Sequence, residues 1–118
     1  LPYTIEPPAK GSVLNVVTIP PDESWKGKVG EVEVRAFFRS MGSPQACTWA
    51  PMSPHPYMQK TRSIDFVVVL EGEIVLVLDT QELVLKAGEF VVQRGTNHAW
   101  SNRTGKPAVL AIASHDGA

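Results

Sequence analysis

The second half of the chain constrains the fold most strongly, because short β-prone runs alternate there with turns rich in glycine and polar residues. About six such runs follow residue 62, and no segment of helical length separates them. Closely spaced strands joined by tight turns are typical of antiparallel barrels and sandwiches, whereas parallel sheets need long crossover connections. The pattern therefore predicts an all-β fold and disfavours a doubly wound nucleotide-binding fold. The predicted strands are 63–70, 74–78, 82–85, 89–93, 98–102 and 108–113.

The first half of the chain differs in composition, since residues 1–57 hold nine of the ten prolines. Proline cannot donate to a strand ladder or continue a helix, so this part is predicted to be mainly loops and edge segments. One run rich in Val and Ile, 12–19, predicts a strand that ends at Pro20. The length suits one domain. We expect a single domain over 1–118, with 1–57 as its N-terminal part and 58–114 as the core of a barrel.

Residues 31–41 predict the one short helix of the N-terminal part. Val32, Ala36 and Phe37 recur at helical spacing and would share its apolar face. Gly42 follows directly and suits a C-terminal cap, because glycine adopts positive φ without steric cost. A strand is the alternative, since Val-Glu-Val near the start also has the alternation of a half-buried strand.

The composition argues against several classes of partner. Eleven Lys and Arg stand against twelve Asp and Glu, and no basic run can follow a phosphate backbone, so we expect no nucleic-acid partner. The apolar runs are far shorter than the ~20 residues that span a bilayer, so no membrane span is expected. The single cysteine, Cys47, cannot form an internal disulfide, which favours a reducing compartment and a cytoplasmic location.

Two short segments resemble the motifs of a known family. Residues 69–73 read VLEGE, with Asp65 seven positions before Gly72, and residues 95–100 read GTNHAW. These segments resemble the later parts of the two cupin motifs, G-x5-H-x-H-x3,4-E-x6-G and G-x5-P-x-G-x2-H-x3-N. The likeness covers residues 54–114, and the chain resembles a small single-domain cupin of the cupin-2 conserved-barrel type. The resemblance implies an antiparallel cupin β-barrel, also called a double-stranded β-helix or jelly roll.

The first of the two motifs is degenerate in this chain. Cupins commonly hold a metal with three histidines and one glutamate, and the resemblance places Asp65 and His98 at two of those four positions. Gln59 and Thr61 stand where the motif-one histidines belong. The resemblance thus implies a ligand set of His98, Asp65 and, as a weak third donor, Gln59. A divalent transition metal (Fe, Mn, Ni or Zn) and no metal at all are both open.

Strand periodicity supports convergence of these residues. Odd-numbered positions from 59 to 69 share one face of a two-residue repeat, and positions 98, 100 and 102 share a face of another strand. If both faces point inward, they line one cavity. A buried Asp65 would need a partner, and His98 or a metal is expected there. The predicted catalytic residues are His98 and Asp65, and the predicted substrate contacts are Gln59, Thr61, Trp100 and Asn102.

This cavity predicts a small-molecule partner. Asp65 and His98 can act as general acid and base, or the pair can hold a weakly bound metal that polarises a carbonyl group. Both versions suit a decarboxylase, lyase, isomerase or cyclase acting on a carbonyl-containing metabolite, and both fit this site better than a metal-dependent oxygenase. The alternative is a cupin that binds a small ligand without catalysis and has lost its metal site.

Three further features carry expectations about the surface. His55 lies in a proline-flanked loop and is predicted to be exposed, with folding over the barrel mouth as the alternative. His115 lies near the C-terminal end and is predicted to be unordered or solvated. Phe66, Val68 and Leu70 alternate with the inward face of their strand and offer an outward apolar patch, which predicts a homodimer.

Overall fold

The computed structural model describes residues 5–117, which form two antiparallel sheets around a common core. One sheet has four strands and the other has three. The prediction of an antiparallel, mainly β fold with one short helix is confirmed. The elements are β1 (Ser12–Ile19), α1 (Glu31–Ser40), β2 (Ser63–Glu71), β3 (Glu73–Leu78), β4 (Glu82–Lys86), β5 (Phe90–Arg94), β6 (His98–Ser101) and β7 (Ala108–Asp116), with single 3-10 turns at Asp22–Ser24 and Pro44–Ala46. The four-stranded sheet has the order β1-β7-β2-β5, and the three-stranded sheet has the order β4-β3-β6.

Strand β2 shows how the core divides into an apolar end and a polar end. Its inward side chains are buried, whereas Phe66 and Leu70 on the other face are about half exposed. The inward Val67 and Val69 pack with side chains of both sheets, so this end of the interior is apolar. Asp65 precedes them on the same face and therefore lies toward the polar end. The buried apolar cluster consists of Val67, Val69, Ile74, Leu76, Leu85, Ala108 and Leu110.

The turn between β2 and β3 depends on Gly72. Its φ angle is 80°, a conformation that side-chain-bearing residues rarely adopt. A Cβ atom at this position would also lie 3.0 Å from the carbonyl oxygen of Pro107 and 3.2 Å from Cα of Ala108. The glycine of the VLEGE segment is thus required both by the turn and by the close approach of β7.

The predicted cap of helix α1 is present. Gly42 has a φ of 70°, and its N–H donates to the carbonyl of Arg39 at 3.0 Å. The N–H of Ser43 donates to the carbonyl of Phe38 at 3.0 Å, which completes a Schellman motif. Within residues 5–117, no helix is both long enough and apolar enough to cross a membrane.

The apolar face of α1 differs from the prediction. Val34 and Phe38 are fully buried and pack on Ala46, whereas Val32 is 76% exposed. The sequence has valine at both 32 and 34, and either can begin a helical stripe. The position of Ala46 against the helix decides between them, because only the 34 and 38 stripe faces that segment.

The segment before β2 extends the three-stranded sheet. Gln59 and His98 exchange two backbone hydrogen bonds, with N···O distances of 2.7 and 2.9 Å, and Gln59 also forms a bridge with Cys47. Met58, next to Gln59, is fully buried against the outer face of the three-stranded sheet, where it contacts Val77 and its neighbours. This segment therefore covers the sheet and places Gln59 beside His98.

The predicted exposure of His55 is wrong, whereas His115 is ordered in β7 and only half-buried. His55 is only 6% exposed, and its ring lies edge-on to Trp25 at a centroid distance of 5.1 Å. Its Nδ1 accepts the N–H of Tyr57 at 3.1 Å, so Nε2 carries the proton. His115 extends β7, and its Nδ1 lies 2.6 Å from the hydroxyl of Ser12. The loop of His55 packs against other aromatic residues and β7 is longer than predicted, neither of which is visible from local sequence.

The burial of His55 makes a prediction about stability. Burial lowers the pKa of His55, partly opposed by Asp22, whose Oδ2 lies 3.6 Å from Nε2, while Arg103 lowers it further. In the unfolded chain the pKa returns to about 6.5. Below that value the unfolded state binds more protons than the folded state. The free energy of unfolding therefore decreases as the pH is lowered, by at most about 1.4 kcal/mol per pH unit for this group.

We expect chemical denaturation between pH 7.5 and pH 5 to show this loss of stability in the wild type and a shallower loss in His55→Asn. Asparagine can still accept the Tyr57 N–H but does not titrate. Lys60→Asn, a change at an exposed position, is the control and should keep the wild-type slope. Equal slopes for wild type and His55→Asn would contradict the assignment.

The outer face of the four-stranded sheet is apolar and exposed, which keeps the homodimer as a prediction. Leu14 and Phe90 are 68% and 71% exposed, and Phe66 lies between them on the same face. Large exposed apolar patches mark interaction sites, and a flat sheet face suits a symmetric contact between two copies.

Light scattering after gel filtration should give a dimer for the wild type and a monomer for Phe66→Lys. Leu83→Lys, on the other sheet, should remain a dimer; a monomeric wild type would contradict the prediction.

Candidate functional site

A cavity of about 320 Å³ lies at the polar end of the barrel, within the size range of small-molecule sites. Strands β1, β2, β6 and β7 supply most of its walls, and Ile5 and Gln59 line it from segments outside the strands. Phe37 of α1 and Met41, directly after the helix, supply the remaining wall. The polar side chains around it are Asn15, Gln59, Asp65, His98 and Ser114, and Trp100 lies beside them.

His98 begins strand β6 and is 4% exposed. Its Nδ1 lies 2.8 Å from the carbonyl oxygen of Thr96, which can only accept, so Nδ1 carries the proton and Nε2 has the lone pair. Burial lowers the pKa of His98, while the Thr96 hydrogen bond and the negative charge of Asp65 partly oppose that shift. The ring is therefore a neutral base at neutral pH, held in one tautomer.

Asp65 is also buried, at 8% exposure, but its hydrogen-bond partner differs from the expected one. The hydroxyl of Ser63 donates to Oδ1 of Asp65 at 2.7 Å, and the hydroxyl of Thr61 lies 2.6 Å from that of Ser63. Within the described residues no ion pair joins Asp65 to His98. The expected direct pair is thus not formed, and Ser63 offsets the desolvation of the carboxylate. Asp65 acts on His98 through its electrostatic field.

Gln59 and Trp100 complete the wall around His98. The backbone bonds between Gln59 and His98 fix the two residues side by side, and both line the cavity. The ring of Trp100 stands edge-on to that of His98, with centroids 5.9 Å apart and an interplanar angle of 77°. An amide, an imidazole and an indole therefore converge on one space.

The structure does not bring Asn102 and Thr61 to this cavity. Asn102 lies past the end of β6 and is fully buried. Its Nδ2 donates to the carbonyls of Ile19 and Lys106 at 2.9 and 2.7 Å, and its Oδ1 accepts two bonds from Thr104. The amide is saturated and ties the end of β1 to the turn before β7. Alternation fails here because the strand ends at Ser101, so position 102 no longer follows the face of 98 and 100.

Several lining residues were missed by the sequence reasoning. Asn15 and Ser114 come from β1 and β7, and each is a polar residue at an inward position of an otherwise apolar strand. That pattern is a usable signal, because a polar side chain on a buried face is unusual. Phe37 and Met41 carry no such signal, since their role depends on where the helix docks.

A model of the family described as "Cupin domain" matches residues 47–114, which include every residue of the predicted catalytic pair and its neighbours Gln59 and Trp100. The chain belongs to the cupins. An RmlC-like cupin from Methanocaldococcus jannaschii with a double-stranded β-helix fold has a similar architecture. The TM-score is 0.58 over 99% of this chain and 80% of that chain, at 12% identity, so this likeness supports the fold alone.

Curated relatives are similar over a shorter segment. The cupin is 60% identical over 48 residues to phomopsin biosynthesis cluster protein D of Diaporthe leptostromiformis. It is 41% identical over 49 residues to the cupin-domain-containing oxidoreductase virC of Hypocrea virens. The matched segments cover 40% and 41% of this chain and 25% of each relative.

Many cupins bind a divalent metal, but the residues of this site do not fit one. Within residues 5–117, no three His, Cys, Asp or Glu side chains lie together. At the positions of the motif-one histidines, Gln59 offers a weak amide oxygen and the hydroxyl of Thr61 is hydrogen-bonded to Ser63. A transition metal normally takes at least three good protein ligands, and this cavity supplies only His98 and Asp65.

Gln59→His should create the missing ligand. We expect titration calorimetry with Zn²⁺ or Ni²⁺ to show at least about tenfold tighter binding than in the wild type, since loss of even an outer-shell partner changes metal affinity by that factor.

The matched control is Lys60→His, because position 60 is exposed and lies on the opposite face of the strand-like segment. An equal gain in both variants, or none in Gln59→His, would show that Gln59 does not point toward His98 and Asp65.

Proposed function

We propose that this cupin is an enzyme that moves a proton on a small carbonyl-bearing molecule, with His98 as the base. The observation that carries the proposal is the fixed tautomer of a buried histidine. Thr96 holds the Nδ1 proton, and Nε2 is the ring nitrogen left to act in the cavity. A general base needs a lone pair within reach of substrate and a pKa that keeps it unprotonated, and His98 meets the second condition because burial lowers its pKa.

The proposed step is the removal of a proton from the carbon next to the carbonyl. Nε2 of His98 takes the proton, and the electron pair of the C–H bond moves to form an enolate with its charge on the carbonyl oxygen. The side-chain amide of Gln59 lines the same cavity and donates to that oxygen. The charge of Asp65 favours the imidazolium that forms. His98 then returns the proton, at the same carbon or at another one.

Reprotonation at another carbon gives isomerisation, and loss of a β-substituent from the enolate gives a lyase reaction. Attack by the enolate carbon on a second carbonyl group of the same substrate gives cyclisation, because the C=O π pair moves to that oxygen, which takes the proton from His98. The relatives support a substrate from a biosynthetic pathway, because two are named for the phomopsin biosynthesis cluster and one for the oryzines biosynthesis cluster. The matched segments cover 25% to 27% of each of these relatives, so most of each relative lies outside them.

The test is hydrogen–deuterium exchange at the α-carbon of simple ketones, followed by proton NMR in D2O. Ketones are suitable because their uncatalysed exchange is slow at neutral pH. We expect the wild type to accelerate exchange. The exchange rate with His98→Ala should be at least about 100-fold lower than with the wild type. His115→Asn removes a histidine outside the cavity and should keep the wild-type rate.

The pH dependence gives a second readout. Because the folded pKa of His98 lies below its usual value near 6.5, the rate should be constant above that pH and fall only in more acidic solution. Exchange that survives in His98→Ala would contradict the assignment of the base. Ketone binding without any exchange in the wild type would favour the alternative, a ligand-binding cupin without catalysis.

A further inference from the structure

A second cavity, of about 240 Å³, adjoins the 320 Å³ cavity lined by Asp65 and His98, which we call the catalytic cavity. The two share Thr18, Ile19, Phe37, Gln59 and Trp100 in their walls, so they are adjacent, and we call them two lobes. Gln59 lies at the junction. The second lobe, which we call the aromatic lobe, is walled mainly by rings: Trp25, Phe37, Phe38, His55, Tyr57 and Trp100.

The rings of the aromatic lobe hold one another in place. Tyr57 contacts Trp25 with ring centroids 5.2 Å apart and Phe37 with centroids 5.3 Å apart, and both contacts are edge-to-face. His55 adds a third edge-to-face contact with Trp25 at 5.1 Å. Interlocked aromatic rings have few alternative rotamers that preserve these contacts, so the lobe is preformed.

Apart from the tryptophans, the residues with polar side-chain atoms in the walls of this lobe are Thr18, His55, Tyr57 and Gln59. Nδ1 of His55 accepts the Tyr57 N–H, whereas its buried Nε2 has no hydrogen-bond partner within the described residues and lies 3.6 Å from Oδ2 of Asp22. Asp22 in turn accepts hydrogen bonds from the hydroxyl of Ser101 and from the N–H of Asn102. Gln59 and Thr18 line both this lobe and the catalytic cavity, and the side-chain amide of Gln59 can donate and accept hydrogen bonds at the junction.

Size and ring geometry identify the group that fits. A dry apolar cavity of about 150 Å³ already binds benzene, so the aromatic lobe has room for one six-membered ring with a substituent. Aromatic walls favour an aromatic guest over an alkyl chain of equal area, because edge-to-face and offset contacts add to the burial of apolar surface. An aryl group is the occupant that uses the walls most fully.

We infer that the aromatic lobe binds the aryl group of an aryl carbonyl compound, and that this group selects the substrate. The carbonyl then lies at the junction beside Gln59, and the adjacent carbon lies in the catalytic cavity with His98. This inference rests on the proposed function for its reaction and on the two cavities for its substrate class. Trp25 is the specificity residue, because it lines the aromatic lobe but not the catalytic cavity.

The test separates binding from reaction by using two unreactive amides, benzamide and propionamide. Both mimic a ketone in shape and carry the same carboxamide, but only benzamide has a ring. Titration calorimetry should show benzamide binding at least about tenfold more tightly than propionamide. Trp25→Leu should remove most of that difference and leave propionamide binding unchanged.

Trp49→Leu is the matched control. Trp49 packs against the Val34 and Phe38 cluster and lines neither lobe, so its loss should leave the preference for benzamide intact. Phe37→Leu, which changes another ring of the same lobe, is the second variant if Trp25→Leu fails to fold by circular dichroism. Phe37 is 42% exposed, so its replacement disturbs the core less.

The outcomes bear separately on the two proposals. Equal binding of the two amides, or an equal loss in Trp25→Leu and Trp49→Leu, overturns the aromatic lobe as a binding site. A benzamide preference that depends on Trp25 supports the lobe. If that preference holds while aryl ketones show no exchange, the aromatic lobe stands and the proton-transfer function is overturned. If aryl ketones exchange faster than aliphatic ketones in the wild type but not in Trp25→Leu, both proposals are supported.

Discussion

The pairing of Gln59 with His98 is the interaction on which the site depends. Two backbone hydrogen bonds attach the segment before β2 to the edge strand β6. This attachment buries Met58 on the outer face of the three-stranded sheet and places the Gln59 side chain in the wall of the cavity. The same segment continues back to Tyr57 and His55, so the aromatic lobe is positioned by the same contact.

The interior separates apolar packing from polar chemistry along the length of the strands. On β2 the valines at 67 and 69 belong to the apolar cluster, whereas Ser63 and Asp65 lie at the other end of the same face. A buried carboxylate is costly unless it is hydrogen-bonded, and the Ser63 hydroxyl supplies that bond. The apolar end carries the stability of the barrel, which allows the polar end to keep a neutral buried base and an open cavity.

The sequence predicted much of the fold and part of the site, for reasons that differ between residues. Alternation in β2 correctly placed Asp65 inward, because strand geometry is local and the strand is regular. The same rule failed at Asn102, where the strand ends one residue earlier. The helix was predicted, but its buried stripe was not, since Val32 and Val34 are equivalent until the helix docks. The sequence predicts an exposed His55, because nothing near it in the sequence reveals Trp25 as a neighbour.

The amino-acid sequence by itself determined the strands, the glycine turn at Gly72, the helix cap at Gly42 and the identity of His98 and Asp65 as the inward ionisable residues of the cupin motifs. These features depend on backbone preferences and on side-chain alternation, which act over a few residues. Only the tertiary structure decided the partner of Asp65, the tautomer of His98, the saturation of Asn102 and the aromatic lobe beside the cavity. Each of these joins side chains to groups on other strands, turns or loops, or depends on the rotamer chosen in the packed interior, and no local rule determines such contacts.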